Sequence, residues 1–431
     1  FILITFHRKM SITREEYISR FPFFPFKRLN KTDEDLFEMM NKLKNYDYKS
    51  HLVIGTPYYI KNIVLQQPPK FEGKYHLLKC SEDDYEDFNI LSDMFCERFR
   101  MSARRQYSDV SPLEYFEQHK DELVETLEPE ATIKEFSIAL RDEIFKKNLE
   151  CSSFRPNVFV MIAKMLNATR VLDFSGGWGD RLIGAIALGD ALEKYVAIDP
   201  NVDLHQGYAS IVDFFVASGG SGSENKFTFI CDKAQNMNKH LDASELFDLV
   251  FTSPPYFNFE LYSKYDDDYT NEGAWFNSFL KPVLEKCWSH ISDEGYLAIN
   301  LNQSSKSQTY ISKMIALVSE FSDACYKGII SYVNEKGVNP QPIFVWKKTN
   351  DNTSSRFITI YEKAAFINLR VTQITHGKMR PVITNFSDFN YDPVRIAQYE
   401  VENKLIDLVL IRKSRGDEYQ IHLRDCIFPQ N

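Results

Sequence analysis

Between residues 170 and 347, short apolar runs rich in β-branched residues alternate with stretches patterned for helices. Arg170–Phe174, Tyr195–Asp199, Phe227–Cys231, Phe247–Thr252, Gly295–Leu301, Lys327–Val333 and Pro342–Lys347 read as strands. Strands joined through helices run parallel, so the region from 151 to 350 predicts a Rossmann-like α/β domain with a seven-stranded open sheet. Residues 1–150 pattern as a mainly helical region, a candidate for nucleic-acid or partner contacts. Thr13-Arg14-Glu15-Glu16 and Thr32-Asp33-Glu34-Asp35 place a capping residue before acids that suit the positive end of a helix dipole. Ser111-Pro112-Leu113-Glu114 is a third helix start, and Pro22, Pro25, Pro57, Pro68 and Pro69 keep the helices short. In residues 351–431, Phe357–Tyr361, Phe366–Val371 and Leu405–Ile411 have strand character and Arg412–Asp417 reads as a turn. This small α+β extension is expected to pack on the sheet, and its Lys378, Arg380, Arg412, Lys413 and Arg415 make it a candidate for substrate recognition.

The length of 431 residues suits two or three domains, and 44% hydrophobic with 26% charged residues excludes a disordered or fibrous chain. No apolar run approaches the ~20 residues that cross a bilayer, so no membrane contact is expected. The opening Phe1–Phe6 run is too short for a signal-peptide core, but a chain that begins at Phe1 leaves targeting open. A formal charge of −9 argues against nonspecific coating of nucleic acid, though not against one local basic surface. The stretch from Arg98 to Arg105 holds four arginines; it binds phosphate, with Arg104 and Arg105 as substrate contacts, or forms a solvated face paired with neighbouring acids. Seven scattered cysteines, never spaced as CxxC, fit a reducing compartment (cytoplasm or nucleus) with neither a zinc site nor disulfides. Ser218–Ser223 reads either as a linker replacing a longer insertion or as a native flexible loop.

The chemistry concentrates at the ends of the predicted strands. In Val171-Leu172-Asp173-Phe174-Ser175-Gly176-Gly177-Trp178-Gly179-Asp180-Arg181 a strand gives way to a helix through glycines, which let the backbone turn sharply and approach a ligand. The acid, gap and Gly-Gly-x-Gly order is not the dinucleotide spacing; it resembles the first motif of class I methyltransferases that use S-adenosylmethionine. The resemblance implies cofactor contacts at Asp173, Ser175, Gly176, Gly177 and Gly179. Asp199 then stands where a carboxylate accepts both ribose hydroxyls, and Asp232 where one accepts the adenine amino group. Taken singly, each acid is more often a strand-end turn residue or a helix cap; their order behind the glycine loop carries the joint reading.

The segment Phe247–Thr252 ends at Ser253-Pro254-Pro255-Tyr256, a rigid corner followed by an aromatic ring. Backbone and serine acceptors there suit the two hydrogens of an exocyclic amine, and Tyr256 offers a face on which a flipped base stacks. With the glycine loop, this segment resembles the nucleic-acid amino-methyltransferases that modify adenine N6 or cytosine N4. Gly177–Leu182, Ser253–Phe257 and Glu260-x-Tyr262-Ser263 together resemble DNA methyltransferases of phages and large viruses, over about residues 95–350. That resemblance implies a seven-stranded methyltransferase sheet and makes Ser253, Pro254, Pro255 and Tyr256 the catalytic candidates. It carries Phe154 and Arg155 over as cofactor neighbours, and sets Phe257, Asn258, Glu260 and Tyr262 along the substrate loop. The cofactor loop precedes the catalytic loop, an order that leaves adenine and cytosine both open. The expected reaction is direct methyl transfer to DNA without a metal. An RNA enzyme, or a catalytically silent nucleic-acid-binding subunit, stands as an alternative.

Overall fold

The computed structural model describes residues 11–27, 31–47, 49, 52–54, 76–80, 82–217, 223–257, 260–261, 269, 271–302, 309–334, 341–349, 358, 360–414, 417–426 and 428. Residues 218–222, most of the stretch read as a linker, lie outside them.

The amino-terminal region is helical where its caps say it should be. Thr13 caps α1 (Arg14–Arg20), and Thr32 and Ser111 form reciprocal capping boxes on α2 (Asp33–Lys44) and α4 (Pro112–Glu125). Between the last two lies α3 (Glu82–Ser102), and α5 (Ile133–Phe145) follows. Short strands punctuate these helices: β1 (Ser11–Thr13), β2 (Leu52–Ile54), β3 (His76–Cys80), β4 (Arg104–Arg105) and β5 (Glu130–Thr132), with β1 and β5 paired antiparallel.

The middle of the chain alternates as expected. It runs α6 (Pro156–Met165), β6 (Arg170–Asp173), α7 (Asp180–Ala187), β7 (Lys194–Ile198), α8 (Val202–Val212), β8 (Phe227–Ile230) and β9 (Phe247–Thr252). Then come β10 (Glu260–Leu261), α9 (Glu272–Trp275), α10 (Lys281–Ser289), β11 (Ile291–Asn300), α11 (Tyr310–Ser319), β12 (Ala324–Asn334) and β13 (Gln341–Lys348). Seven of these strands lie in the order β12-β13-β11-β9-β6-β7-β8, with β13 antiparallel to both its neighbours and the remaining pairs parallel. This is the Rossmann-like, seven-stranded open sheet that the sequence predicts. The helical region adds β3 and β2 to its edge beside β12, a continuation that no strand pattern in the first 150 residues announced.

Successive side chains on each strand enter opposite layers. Val171, Tyr195, Leu249 and Ala298 pack with α2, α3, α6, α7 and α8, whereas Leu172, Val196, Val250 and Leu297 pack with α10 and α11. Helices thus cover both faces.

The carboxy-terminal extension has its own core. Phe366, Val401, Ile406, Leu408, Ile421 and Leu423 bury together between α12 (Ile360–Thr375), α13 (Pro393–Glu402) and the hairpin of β14 (Val409–Ser414) and β15 (Asp417–His422). Phe366–Val371, read as a strand, is therefore helical. Its apolar and polar residues nearly alternate, but burying Phe366 and Arg370 four residues apart against α13 favours the helical period. Of the turn read at Arg412–Asp417, Arg412–Ser414 and Asp417 are instead paired in the strands of this hairpin, and residues 415 and 416 lie outside the described residues. Among the described residues no helix is long and apolar enough to cross a membrane.

Candidate active site

From β6 the chain steps outward through β7 to β8 and returns to β9 on the other side of β6, so the strand order reverses between β6 and β9. In open α/β sheets ligands bind at such a switch point, outside the carboxyl ends of the strands. The loops emerging there are the glycine loop and the Ser-Pro-Pro-Tyr corner.

The glycine loop is held on every side. Gly177 and Gly179 have φ of 60° and 86°, left-handed conformations that side chains disfavour, and Gly179 caps α7. At Gly176 an added Cβ would lie 2.8 Å from the Tyr208 hydroxyl, which instead donates to Gly177 O at 2.5 Å. The Gly177 amide donates to Asp199 Oδ2 at 2.9 Å, tying the loop to the tip of β7. Asp199 also accepts from Asn201 N at 2.9 Å. Burial pushes its carboxyl up to about 6 against these two hydrogen bonds.

Asp173 lies beneath the loop with 0% exposure. Arg181 Nε donates to its Oδ2 at 2.7 Å and Tyr195 OH to the same oxygen at 2.8 Å. Thr252 Oγ1 reaches its Oδ1 at 2.7 Å and Ser175 N at 3.2 Å. Both its oxygens are thus engaged from within the fold. It organises the loop. Arg181 also donates to Ser175 O, closing the turn from inside.

Asp180, the first residue of α7, accepts from Asn89 Nδ2 at 2.9 Å, from Phe154 N at 3.1 Å and from Ser92 Oγ. Burial pushes its carboxyl up to about 6 despite the Ser92 bond. Through it α3 grips the glycine-loop helix. At the tip of β8, Asp232 accepts from His240 Nε2 at 2.7 Å, Asn236 Nδ2 at 2.8 Å and Lys233 N at 2.7 Å. The His240 and Asn236 bonds hold its carboxyl down at about 2. Asp232 therefore braces the turn that follows.

At the corner after β9, Tyr256 OH donates to Asn300 Oδ1 at 3.1 Å and lies 3.3 Å from Ser253 Oγ. Asn300, at the end of β11, is fixed in turn by donating to Pro342 O at 2.8 Å. Burial pushes the Tyr256 hydroxyl up to about 12, so it stays protonated and keeps donating. Pro254 is buried, and Ser253, Pro255, Tyr256 and Phe257 are half-buried. The Phe257 ring sits 6.3 Å from Trp275.

The remaining candidates have structural partners. Glu260 is 8% exposed and accepts from Ser152 N at 2.7 Å, while Trp178 Nε1 donates to Ser152 O at 3.1 Å. Glu260 is thereby tied down rather than poised as a base. Its strand β10 pairs with β4, Glu260 opposite Arg105 and Leu261 opposite Arg104. Arg105 donates to Glu150 O at 2.7 Å and Asn148 Oδ1 at 2.8 Å, and the exposed Arg104 to Asp109 O at 3.2 Å. Arg100 is buried in a bidentate pair with Asp93, joined by Glu150, Arg141, Glu97 and Lys27, so the four arginines do not form one phosphate-binding face. Phe154 packs edge-on to Phe251 at 5.6 Å, and the Arg155 guanidinium lies 5.4 Å from the Tyr332 ring centroid. Asn258, Tyr262 and Ser263 lie outside the described residues.

No protein-family model matches the chain, and no curated protein does. Among solved structures, an rRNA methylase from Streptococcus thermophilus is similar at 13% identity and a TM-score of 0.30, over 46% of this chain and 100% of its own. An O-methyltransferase from Streptomyces achromogenes, solved in complex with SAM, shares 13% identity at 0.31, over 45% and 79%. TrmN from Thermus thermophilus shares 14% at 0.32, over 51% and 68%. Likeness of this size carries no weight by itself; the strand order establishes the fold.

Sequence reasoning missed the roles of Arg181, Tyr195, Tyr208, Thr252 and Asn300. One signal was present for the last: Asn300 interrupts the apolar run Leu297-Ala298-Ile299-Asn300-Leu301, and a buried amide there needs partners.

Proposed function

We propose that this protein is an S-adenosylmethionine-dependent methyltransferase acting on an exocyclic amino group of a base in DNA, adenine N6 or cytosine N4. The reading is supported by one observation above others: the Thr252–Asp173 hydrogen bond joins the glycine loop directly to the Ser-Pro-Pro-Tyr corner at the switch point of the sheet.

The donor and acceptor chemistry of the site fits the cofactor. Adenosine presents ribose hydroxyls and an amino group, all donors, and the rim carries carboxylates at Asp199 and Asp232 beside a glycine backbone that leaves room for close approach. Both Asp199 oxygens and Asp232 Oδ2 accept one described bond each and keep acceptor capacity. Gly176, Gly177 and Gly179 with Ser175 form the cradle, Asp199 and Asp232 the adenosine side, and Phe154 with Arg155 the flank. When bound, the cofactor supplies an electrophilic methyl group.

The chain's own residues address the acceptor. An exocyclic amine is a poor nucleophile because its lone pair is delocalised into the ring. Acceptors at Ser253 Oγ and the Pro254 carbonyl favour a pyramidal nitrogen and localise that pair. Pro254 and Pro255 fix the acceptors before the base arrives, so alignment and electrostatic preorganisation lower the barrier. Tyr256, held by Asn300, offers a face to the base and offsets part of an unstacking cost of a few kcal/mol.

Incubating the protein with tritiated-methyl cofactor and pools of DNA or RNA, then digesting the product to nucleosides, tests the proposal. Label in N6-methyladenine or N4-methylcytosine from DNA is the expected result. Label confined to RNA, or absent from both, overturns it.

A further inference from the structure

The carboxy-terminal unit carries a stretch that holds cations and no acids. The 25 residues from Lys363 to Ser387 contain four Lys and Arg, one His and no carboxylate, in a chain with 60 Asp and Glu. Lys378 and Arg380 stand on the exposed loop that leaves α12, and among the described residues neither meets a carboxylate.

This loop is braced from below. Arg370 and Glu400, both 0% exposed, pair at 2.7 Å between α12 and α13. Arg370 Nη2 donates to Arg380 O at 2.9 Å, and Glu400 Oε1 accepts from Ile383 N at 3.2 Å and from Val382 N. The loop backbone around Lys378 and Arg380 is thus fixed to a buried ion pair, while their side chains point to no internal partner. Further along, Asn390 and Tyr391 are consecutive residues in the left-handed conformation, with φ of 52° and 56°. Such a backbone is costly for an aromatic residue and tends to persist where function needs it. Here it presents a ring that is 72% exposed. Asp392, the acid beside it, caps α13 by accepting from Val394 N at 2.8 Å, and Asp388 is the other acid of the stretch.

Two cations on a braced loop and an exposed aromatic ring further along it are the chemistry that grips nucleic acid: cations for phosphate, a ring for stacking. We propose that the loop from His376 to Tyr391 binds the phosphate backbone of the nucleic-acid substrate, through Lys378 and Arg380, with Tyr391 against an adjacent base or sugar. This deepens the proposed function and rests on its nucleic-acid reading.

The test uses the full chain and measures binding of a labelled DNA duplex by fluorescence anisotropy across a salt series, separately from methyl transfer. Lys378→Gln with Arg380→Gln is expected to weaken binding about tenfold and to lower the slope of log affinity against log salt by about 2, since each neutralised phosphate contributes about 0.9. Lys378→Arg with Arg380→Lys keeps the charges and is expected to retain the slope, which separates charge from folding. Tyr391→Gly relieves the backbone while removing the ring, so weaker binding with undiminished thermal stability supports the stacking contact, and unchanged binding removes it. Wild-type binding with unchanged affinity and slope in the Gln variant overturns this proposal alone. If the wild-type chain binds neither DNA nor RNA, the functional reading falls with it.

Discussion

The two loops at the switch point are built on opposite principles. The glycine loop is organised by buried charge: Asp173 takes Arg181, Tyr195 and Thr252 at once, and Asp199 and Asp180 hold it from either side. The Ser-Pro-Pro-Tyr corner is organised by neutral groups, a proline pair and a Tyr256–Asn300–Pro342 chain of hydrogen bonds. A loop shaped by charge answers to protons and collapses when one partner is removed. A loop shaped by rigid neutral groups keeps its form and loses chemistry instead. The difference sets what substitution should do to each.

Asp173→Ala should have the largest effect. It leaves Arg181 buried without its carboxylate and should cost about 3–5 kcal/mol in urea unfolding; a loss below about 1 kcal/mol would erase the contrast. At the corner, Pro254→Ala or Tyr256→Ala should lower methyl transfer about 10²–10³-fold while cofactor affinity, read by calorimetry, stays near wild type. Undiminished rates in both would remove the corner from catalysis. Smaller is the pH dependence of the charged loop. Asp180 and Asp199 titrate near 6 when folded, against an ordinary value of 3.8. Between these values the folded chain binds more protons than the unfolded one, so stability should fall as pH rises through that window, by about 1–3 kcal/mol for each group. Asp199→Asn should flatten part of the slope; an unchanged slope would show the charge does not govern the loop. Last, Asn300→Ala should reduce kcat about tenfold, near 1.4 kcal/mol, with little change in KM. Combined with Tyr256→Phe the losses should not add, because both break one hydrogen bond.

Strands and turns were largely readable in the sequence because local pattern dictates them. Phe247–Thr252 is a strand over the residues expected, and the caps at Thr13, Thr32 and Ser111 stand where Ser or Thr precedes acids. What the pattern could not show is which polar group meets which. Asp173 draws partners from α7, β7 and β9, residues up to 79 positions away, and no local rule connects them. Charge density failed in the same way. Arg100 and Arg104 are close in sequence, yet one is buried against Asp93 and the other faces solvent. Phe366–Val371 misled because near-alternation over six residues also fits one side of a helix.

The two-residue ladder between β4 and β10 has a practical meaning for anyone cutting or grafting this chain. It fastens the segment downstream of Tyr256 to the amino-terminal helices, with Ser152 and Glu260 as a second rivet. Transplanting the sheet alone into another scaffold would leave β10 without its partner strand and Glu260 without Ser152. The helical layer is thus joined to the candidate site, not a detachable accessory.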